Sequence, residues 1–205
     1  MKKFRQLLKE AMANKTLYFC FGRFDIPTIG HSYLFKVLGV EANINGTDDW
    51  LIFPSRTTDY KKTFLDIEDR IKFLRELNPK IRNRIIDDPE CRTIIDIMEK
   101  YKKKGFNKYV LIVGNSDVEA MERLKRHIPE DTTLEIPYIE QLKRNDSDTI
   151  HGISSSKLKK ALISDDKKTF ILGIGNEKIA DEIWNILEPY NKHIEKYVKA
   201  KDKLK

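Results

Sequence analysis

Apolar runs of strand length alternate with helix-periodic segments along most of this chain, and that alternation restricts its fold more than any other property of the sequence. Residues 17–21 (LYFCF) form the first run, which ends at Gly22. Over 31–43, Leu34, Phe35, Leu38 and Val40 recur at helical spacing, and after the turn-rich NINGTDD the run 50–53 (WLIF) is stopped by Pro54. The unit then repeats. Residues 66–77 predict a helix offering Ile67, Ile71, Phe73, Leu74 and Leu77 to a core, 84–86 a short third strand, and 89–105 a helix ended by Gly105. The clearest strand, 109–113 (YVLIV), ends at Gly114, and a helix over 116–126 and a short strand over 134–136 follow. Alternation of this kind predicts an α/β protein, a doubly wound parallel sheet with helices on both faces. Such sheets bind ligands beyond the carboxyl ends of their strands. Residues 3–12 read as a short amphipathic helix in front of the first strand. The last forty residues read as helices, giving a division into a domain over 1–165 and a C-terminal helical appendage over 166–205 packed on it.

With 205 residues, 40% hydrophobic and 35% charged, the chain has apolar material for one substantial core. No stretch approaches the roughly 18 to 20 apolar residues of a membrane span, and the opening MKKFRQLLKE lacks the apolar run of a secretory signal, so a soluble intracellular protein is expected. Of the net charge of +7, residues 1–15 carry +4 and 191–205 carry +4, which leaves 16–190 at −1. Two basic ends around a near-neutral body are not the continuous basic groove of a nucleic-acid binder. Cys20 and Cys91 have no Cys or His neighbour at metal-ligand spacing, so two free thiols are expected, with no zinc site and no disulfide framework.

Two segments carry chemistry. The first strand is followed by Gly22-Arg23-Phe24-Asp25-Ile26-Pro27-Thr28-Ile29-Gly30-His31 and then a helix. A glycine at a strand end permits close backbone approach, and a histidine in a first helical turn offers a donor where the helix dipole already favours an anion. Far along the chain, Ile153-Ser154-Ser155-Ser156-Lys157-Leu158-Lys159-Lys160 places three hydroxyls at a helix start with three ammonium groups behind them. Capping explains the serines. It does not explain the lysines, which oppose the macrodipole unless an anion sits there.

These residues resemble the nucleotidylyltransferase superfamily, whose members share a T/H-x-G-H motif after the first strand and an I-S-S-T-x-x-R motif late in the domain. Here the motifs read Thr28-Ile29-Gly30-His31 and Ile153-Ser154-Ser155-Ser156-Lys157-Leu158-Lys159. The resemblance covers about residues 17–163 and is similar to short bacteriophage-encoded members, with Pro54-Ser55 followed by Asp59, Lys61 and Lys62, and with Val113-Gly114-Asn115-Ser116-Asp117. It implies the Rossmann-like fold of the HIGH-type nucleotidyltransferases and a cytoplasmic location, that of the host if phage-encoded. One departure is chemical. Lys159 stands where the motif has arginine, keeping the charge and losing the planar fork that grips two phosphate oxygens.

The resemblance implies transfer of a nucleoside monophosphate from a nucleoside triphosphate to a small phosphomonoester, with release of pyrophosphate and Mg²⁺ bridging the triphosphate. It assigns catalysis to His31, Thr28 and Lys159. Nucleotide binding falls to Gly22, Arg23, Phe24, Gly30, Gly114, Asn115, Asp117, Ile153, Ser154, Ser155 and Ser156, and the acceptor's phosphate to Lys61 and Lys62; no protein metal ligand is marked. The Gly22-Arg23-Phe24 opening resembles nicotinamide mononucleotide adenylyltransferases, which favours ATP and NAD synthesis. Cytidylyl transfer to a small phosphorylated alcohol or sugar is the alternative, beside a phage protein that kept nucleotide or nucleic-acid binding and lost turnover; the oligomeric state is left open. Gly173-Ile174-Gly175 lacks the third glycine and the following strand of a dinucleotide fingerprint and is set aside. Trp184, Ile183 and Leu187 are expected to pack the C-terminal helices onto the sheet.

Overall fold

The computed structural model describes residues 15–57, 63–142 and 154–203. The expected helix over 3–12 lies outside them. In chain order the elements are β1 (Lys15–Gly22), α1 (Ile29–Ile44), β2 (Trp50–Pro54), α2 (Ile67–Leu77), α3 (Ile94–Lys102), β3 (Phe106–Leu111), α4 (Val118–Glu122), β4 (Thr133–Glu135), α5 (Ser155–Ile163), α6 (Lys167–Ile174), α7 (Glu177–Leu187) and α8 (Asn191–Asp202). They sort into two compact units interleaved along the sequence. Among the described residues, one unit holds 15–22, 34–55 and 86–142, and the other holds 23–33, 56–57, 63–85 and 154–203.

The first unit is built on a four-stranded, all-parallel sheet of order β2-β1-β3-β4. Alternate side chains of each strand point to opposite faces, and here both faces are apolar. On one face Leu17, Phe19, Phe53, Tyr109, Leu111 and Leu134 share a core with Ile94, Ile97, Met98 and Tyr101 of α3. The Tyr109 hydroxyl donates into that layer, to Met98 O at 2.7 Å and Phe106 O at 3.0 Å. On the other face Tyr18 stands in register with Trp50 and Val110. A Cβ on Gly39 of α1 would come within 3.2 Å of the Trp50 ring, so this helix lies against that face. The doubly wound α/β architecture is therefore as expected. Because β1 sits between β2 and β3, the strand order reverses at β1, and the carboxyl ends of β1 and β3 form the topological switch point.

The third strand expected over 84–86 shrinks to a single bridge residue, Ile85. Pro79–Arg84 is a 3-10 turn, and just beyond it Ile86 N donates to Ile52 O of β2 at 2.9 Å. Proline favours the first turn of a helix, and the Arg-Asn-Arg that follows lacks an alternating apolar face. The helix expected from 89 begins only at Ile94, where Thr93 and Asp96 form a reciprocal capping box. The single helix expected over 116–126 is instead a short α4 between two 3-10 turns.

The second unit is helical. Phe73 of α2 shares one core with Leu158 and Leu162 of α5, Phe170 and Ile174 of α6, Ile183, Trp184 and Leu187 of α7, and Ile194 of α8. Within that cluster Trp184, Ile183 and Leu187 pack among helices. Trp184 meets Phe170 edge to face, with ring centroids 5.1 Å apart. Gly175 ends α6 at φ +78°, its N–H donating to Ile171 O at 2.8 Å, and a Cβ there would lie 2.5 Å from Ile29 Cγ2. Both the left-handed backbone and the close approach require glycine. The boundary expected at 165/166 falls inside this unit, between helices of one core. Among the described residues no helix is long and apolar enough to cross a membrane.

Candidate functional site

The segment after β1 folds back on the start of α1 through its own polar atoms. Thr28 precedes the helix, and His31 is its third residue. The Thr28 N–H donates to His31 Nδ1 at 3.1 Å, and the His31 N–H faces Thr28 Oγ1 at 3.3 Å. This is the logic of a capping box, with imidazole in place of the usual Glu or Gln. It also assigns the ring tautomer. A backbone amide only donates, so Nδ1 is the acceptor and the ring proton sits on Nε2, which is thereby the donor. Phe24 fixes the ring from the side, its own ring edge-on at 5.1 Å and 80°. It does so from φ +47°, a backbone region that non-glycine residues enter at a cost and that concentrates at functional sites. Gly30 occupies the second helical position, and Arg23 is exposed.

The late motif comes to the same segment. Ser154 caps α5, its hydroxyl accepting from Lys157 N at 3.4 Å. The Ser155 hydroxyl donates to Ile26 O at 2.9 Å, across 129 residues of sequence. One turn on, Lys159 Nζ lies 2.5 Å from Asp25 Oδ2, with both side chains buried. Asp25 Oδ1 accepts from Phe64 N at 2.9 Å. The rings of Phe64 and Tyr197 stand over the Lys159 ammonium at 5.1 Å and 4.9 Å. Two helix amino ends thus lie beside one loop, 23–28. Neither α1 nor α5 has an acidic residue in its first turn, a property shared by α6 and α8, whereas α2 carries Glu68 and Asp69, α3 Asp96 and α7 Glu177. An acid there would compete with an anionic ligand for the first-turn amides.

Arg70 supports the loop from below. It is fully buried on α2, and its Nη1 donates to Arg23 O at 2.7 Å. Burial lowers the pKa of its guanidinium, and the Asp25 carboxylate opposes that shift. Asp25, Phe64, Arg70 and Tyr197 were not marked as site residues by the sequence. Two of them had a legible signal: Asp25 is an acid inside the apolar Phe24-Asp25-Ile26, and Arg70 lies on the face of α2 that carries Ile67, Phe73 and Leu74.

The remaining expected residues divide between the first unit and the undescribed segments. Gly22 closes β1, its carbonyl accepting from Ser55 N at 2.7 Å. Gly114, Asn115 and Asp117 follow β3. The Asn115 side chain bridges Ile139, donating to its carbonyl at 2.7 Å and accepting from its N–H at 3.3 Å, while Asp117 is exposed in the 3-10 turn. Lys61, Lys62 and Ile153 lie outside the described residues.

A cytidylyltransferase-like family profile matches residues 19–161, more than two thirds of the chain. The chain belongs to the cytidylyltransferase-like family. The match spans Thr28-Ile29-Gly30-His31 and Ser154-Ser155-Ser156-Lys157-Leu158-Lys159 together, and membership supports nucleotidyl transfer from a nucleoside triphosphate as the class of chemistry. No curated protein matches the chain. Within this cytidylyltransferase-like protein, Cys20 and Cys91 are free and buried; burial raises the pKa of both thiols, that of Cys91 to about 11.

Proposed function

We propose that this protein transfers a nucleoside monophosphate to a small phosphomonoester, with ATP the favoured donor and nicotinamide mononucleotide the favoured acceptor, giving NAD and pyrophosphate. The observation that carries the reading is the union of the two motifs: Ser155 on Ile26 O places the amino end of α5 beside the loop that leads into α1. The choice of ATP and nicotinamide mononucleotide rests on the Gly22-Arg23-Phe24 opening.

The chemistry asks little of the protein beyond placement. An oxygen of the acceptor's phosphate attacks the α-phosphorus in line, the bond from that phosphorus to its bridging oxygen breaks, and pyrophosphate leaves with the electron pair. The attacking phosphate is already ionised, so no general base is needed, and rate enhancement comes from orientation and charge stabilisation. His31 donates from Nε2 to the α- or β-phosphate. Thr28 acts by holding His31 Nδ1. The β- and γ-phosphates fall to the amino end of α5, where Ser154, Ser155 and Ser156 lie. Gly22 and Gly30 allow close backbone approach, and Arg23 and Phe24 line the same loop. Gly114, Asn115 and Asp117 are assigned to the base or ribose, and Lys61 and Lys62 to the acceptor's phosphate.

The cofactor expected from the resemblance is a Mg²⁺ that arrives with the triphosphate, an ion that ordinarily keeps waters and phosphate oxygens as ligands. When bound, it would neutralise charge on the leaving pyrophosphate.

The test is pyrophosphate release with Mg²⁺ and each of ATP, CTP, GTP and UTP, alone and with nicotinamide mononucleotide. Release that needs both ATP and the acceptor is the expected result. Release with CTP and a phosphorylated alcohol or sugar would move the protein to cytidylyl transfer. Nucleotide binding without turnover across an acceptor panel would contradict the enzymatic reading.

A further inference from the structure

The late motif's last cation does not stand at the amino end of α5 but one turn in, buried against the early loop. Lys159 is 4% exposed and Asp25 is 4% exposed. Their ion pair is enclosed by the Phe64 and Tyr197 rings, whose centroids are 6.3 Å apart. Tyr197 comes from α8, which is fixed to α5 by a second pair, Lys160 with Asp202 at 2.7 Å, and by the fully buried Ile194. Asp25 is itself placed by Phe64 N. A chain of contacts therefore runs from α8 through Lys159 and Asp25 into the loop that precedes Thr28.

We propose that Lys159 and Asp25 form a positioning clamp: Lys159 acts through Asp25 to set the loop 23–28 against the start of α5, rather than on the triphosphate itself, and Tyr197 makes α8 part of the clamp. This rests on the nucleotidyl-transfer reading for its catalytic consequence, and on the geometry alone for the coupling. A buried ammonium held by a carboxylate and two aromatic faces is poorly placed to give up those partners for a phosphate. Breaking one member of a buried pair leaves an uncompensated charge, whereas replacing both by neutral groups of similar volume is far better tolerated. The clamp therefore predicts strong non-additivity.

The test compares D25N, K159M, the double variant D25N/K159M and Y197L in the full chain, through thermal unfolding, equilibrium ATP binding, and kcat and KM measured well below every Tm. D25N keeps the oxygen that accepts from Phe64 N. Each single variant is expected to lower Tm and to reduce kcat about tenfold while KM for ATP stays within about threefold, and the double variant to exceed both singles in Tm and kcat. Y197L is expected to lower kcat in the same direction by a smaller factor.

Two results would overturn the clamp. One is K159M and the double variant sharing an ATP affinity weakened about tenfold with little change in Tm, the signature of a lost phosphate contact. The other is additive losses in Tm. Absence of turnover in the unaltered protein would count against the nucleotidyl-transfer reading only, because the coupling would still be judged by Tm and ATP affinity.

Discussion

The two helix starts beside the loop 23–28 are built from different chemistry. At α1 the cap is reciprocal: Thr28 and His31 each satisfy the other's backbone amide, and the imidazole does so with Nδ1 while Nε2 keeps the proton. At α5 the cap is one-sided and longer, Ser154 accepting from Lys157 N at 3.4 Å, and the neighbouring Ser155 uses its hydroxyl to reach Ile26 O. The difference separates two tasks. The α1 start holds a side-chain donor in one orientation. The α5 start brings first-turn amides to the loop and contributes attachment more than side-chain chemistry.

The comparison can be broken most sharply at His31. His31→Ala removes the Nε2 donor and the Thr28 acceptor at once, and turnover is expected to fall by about 10²-fold or more, comparable with loss of an oriented charge stabiliser. Calorimetry should show a stability loss of only about 1 kcal/mol, the ordinary cost of a cap. His31→Glu divides the two roles. Its carboxylate can accept from Thr28 N and suits the helix dipole, so Tm should equal or exceed that of the unaltered protein. Turnover should still be lost by about 10²-fold, because the donor has become an anion facing phosphate.

Smaller effects are expected at α5. Ser155→Ala leaves Ile26 O without its donor, and about 1 kcal/mol of stability should go, read from denaturant midpoints at constant slope. Turnover should drop by about tenfold, since a shift of the loop of the order of 1 Å disturbs an in-line geometry strongly. Ser154→Ala should cost the least, about 0.5 kcal/mol, because the bond it removes is long. A Ser154→Ala effect larger than that of Ser155→Ala, in either stability or turnover, would reverse the division of labour between the two serines.

What the sequence made legible follows the range of the interactions. The alternation of strand and helix was readable because each element announces itself over a few residues, and Thr28-Ile29-Gly30-His31 because a histidine in a first helical turn just after a strand end forms a short contiguous motif. The pair Lys159–Asp25 was not readable: nothing local to Lys159 distinguishes a lysine aimed at phosphate from one withdrawn into a buried ion pair, and the two rings over it come from segments remote from each other. Arg70 shows the intermediate case, a charge on the apolar side of α2 that signals burial without naming its acceptor, Arg23 O. The strand expected over 84–86 was shortened to one bridge residue, Ile85, for a local reason, since Pro79 starts a 3-10 turn that takes up Arg84. The helices after 166 were evident from their amphipathic spacing, but not that they share a core with α2 and α5.

The most direct measurement is acceptor-dependent pyrophosphate release by the His31→Glu variant beside the unaltered protein, with Mg²⁺, ATP and nicotinamide mononucleotide, below the Tm of both. Release by the unaltered protein, together with loss of it in a variant of equal or higher Tm, would support the ring held by Thr28 as facing the triphosphate, beyond its part as a helix cap. A variant that turns over near the original rate would contradict that assignment and leave His31 a helix cap alone.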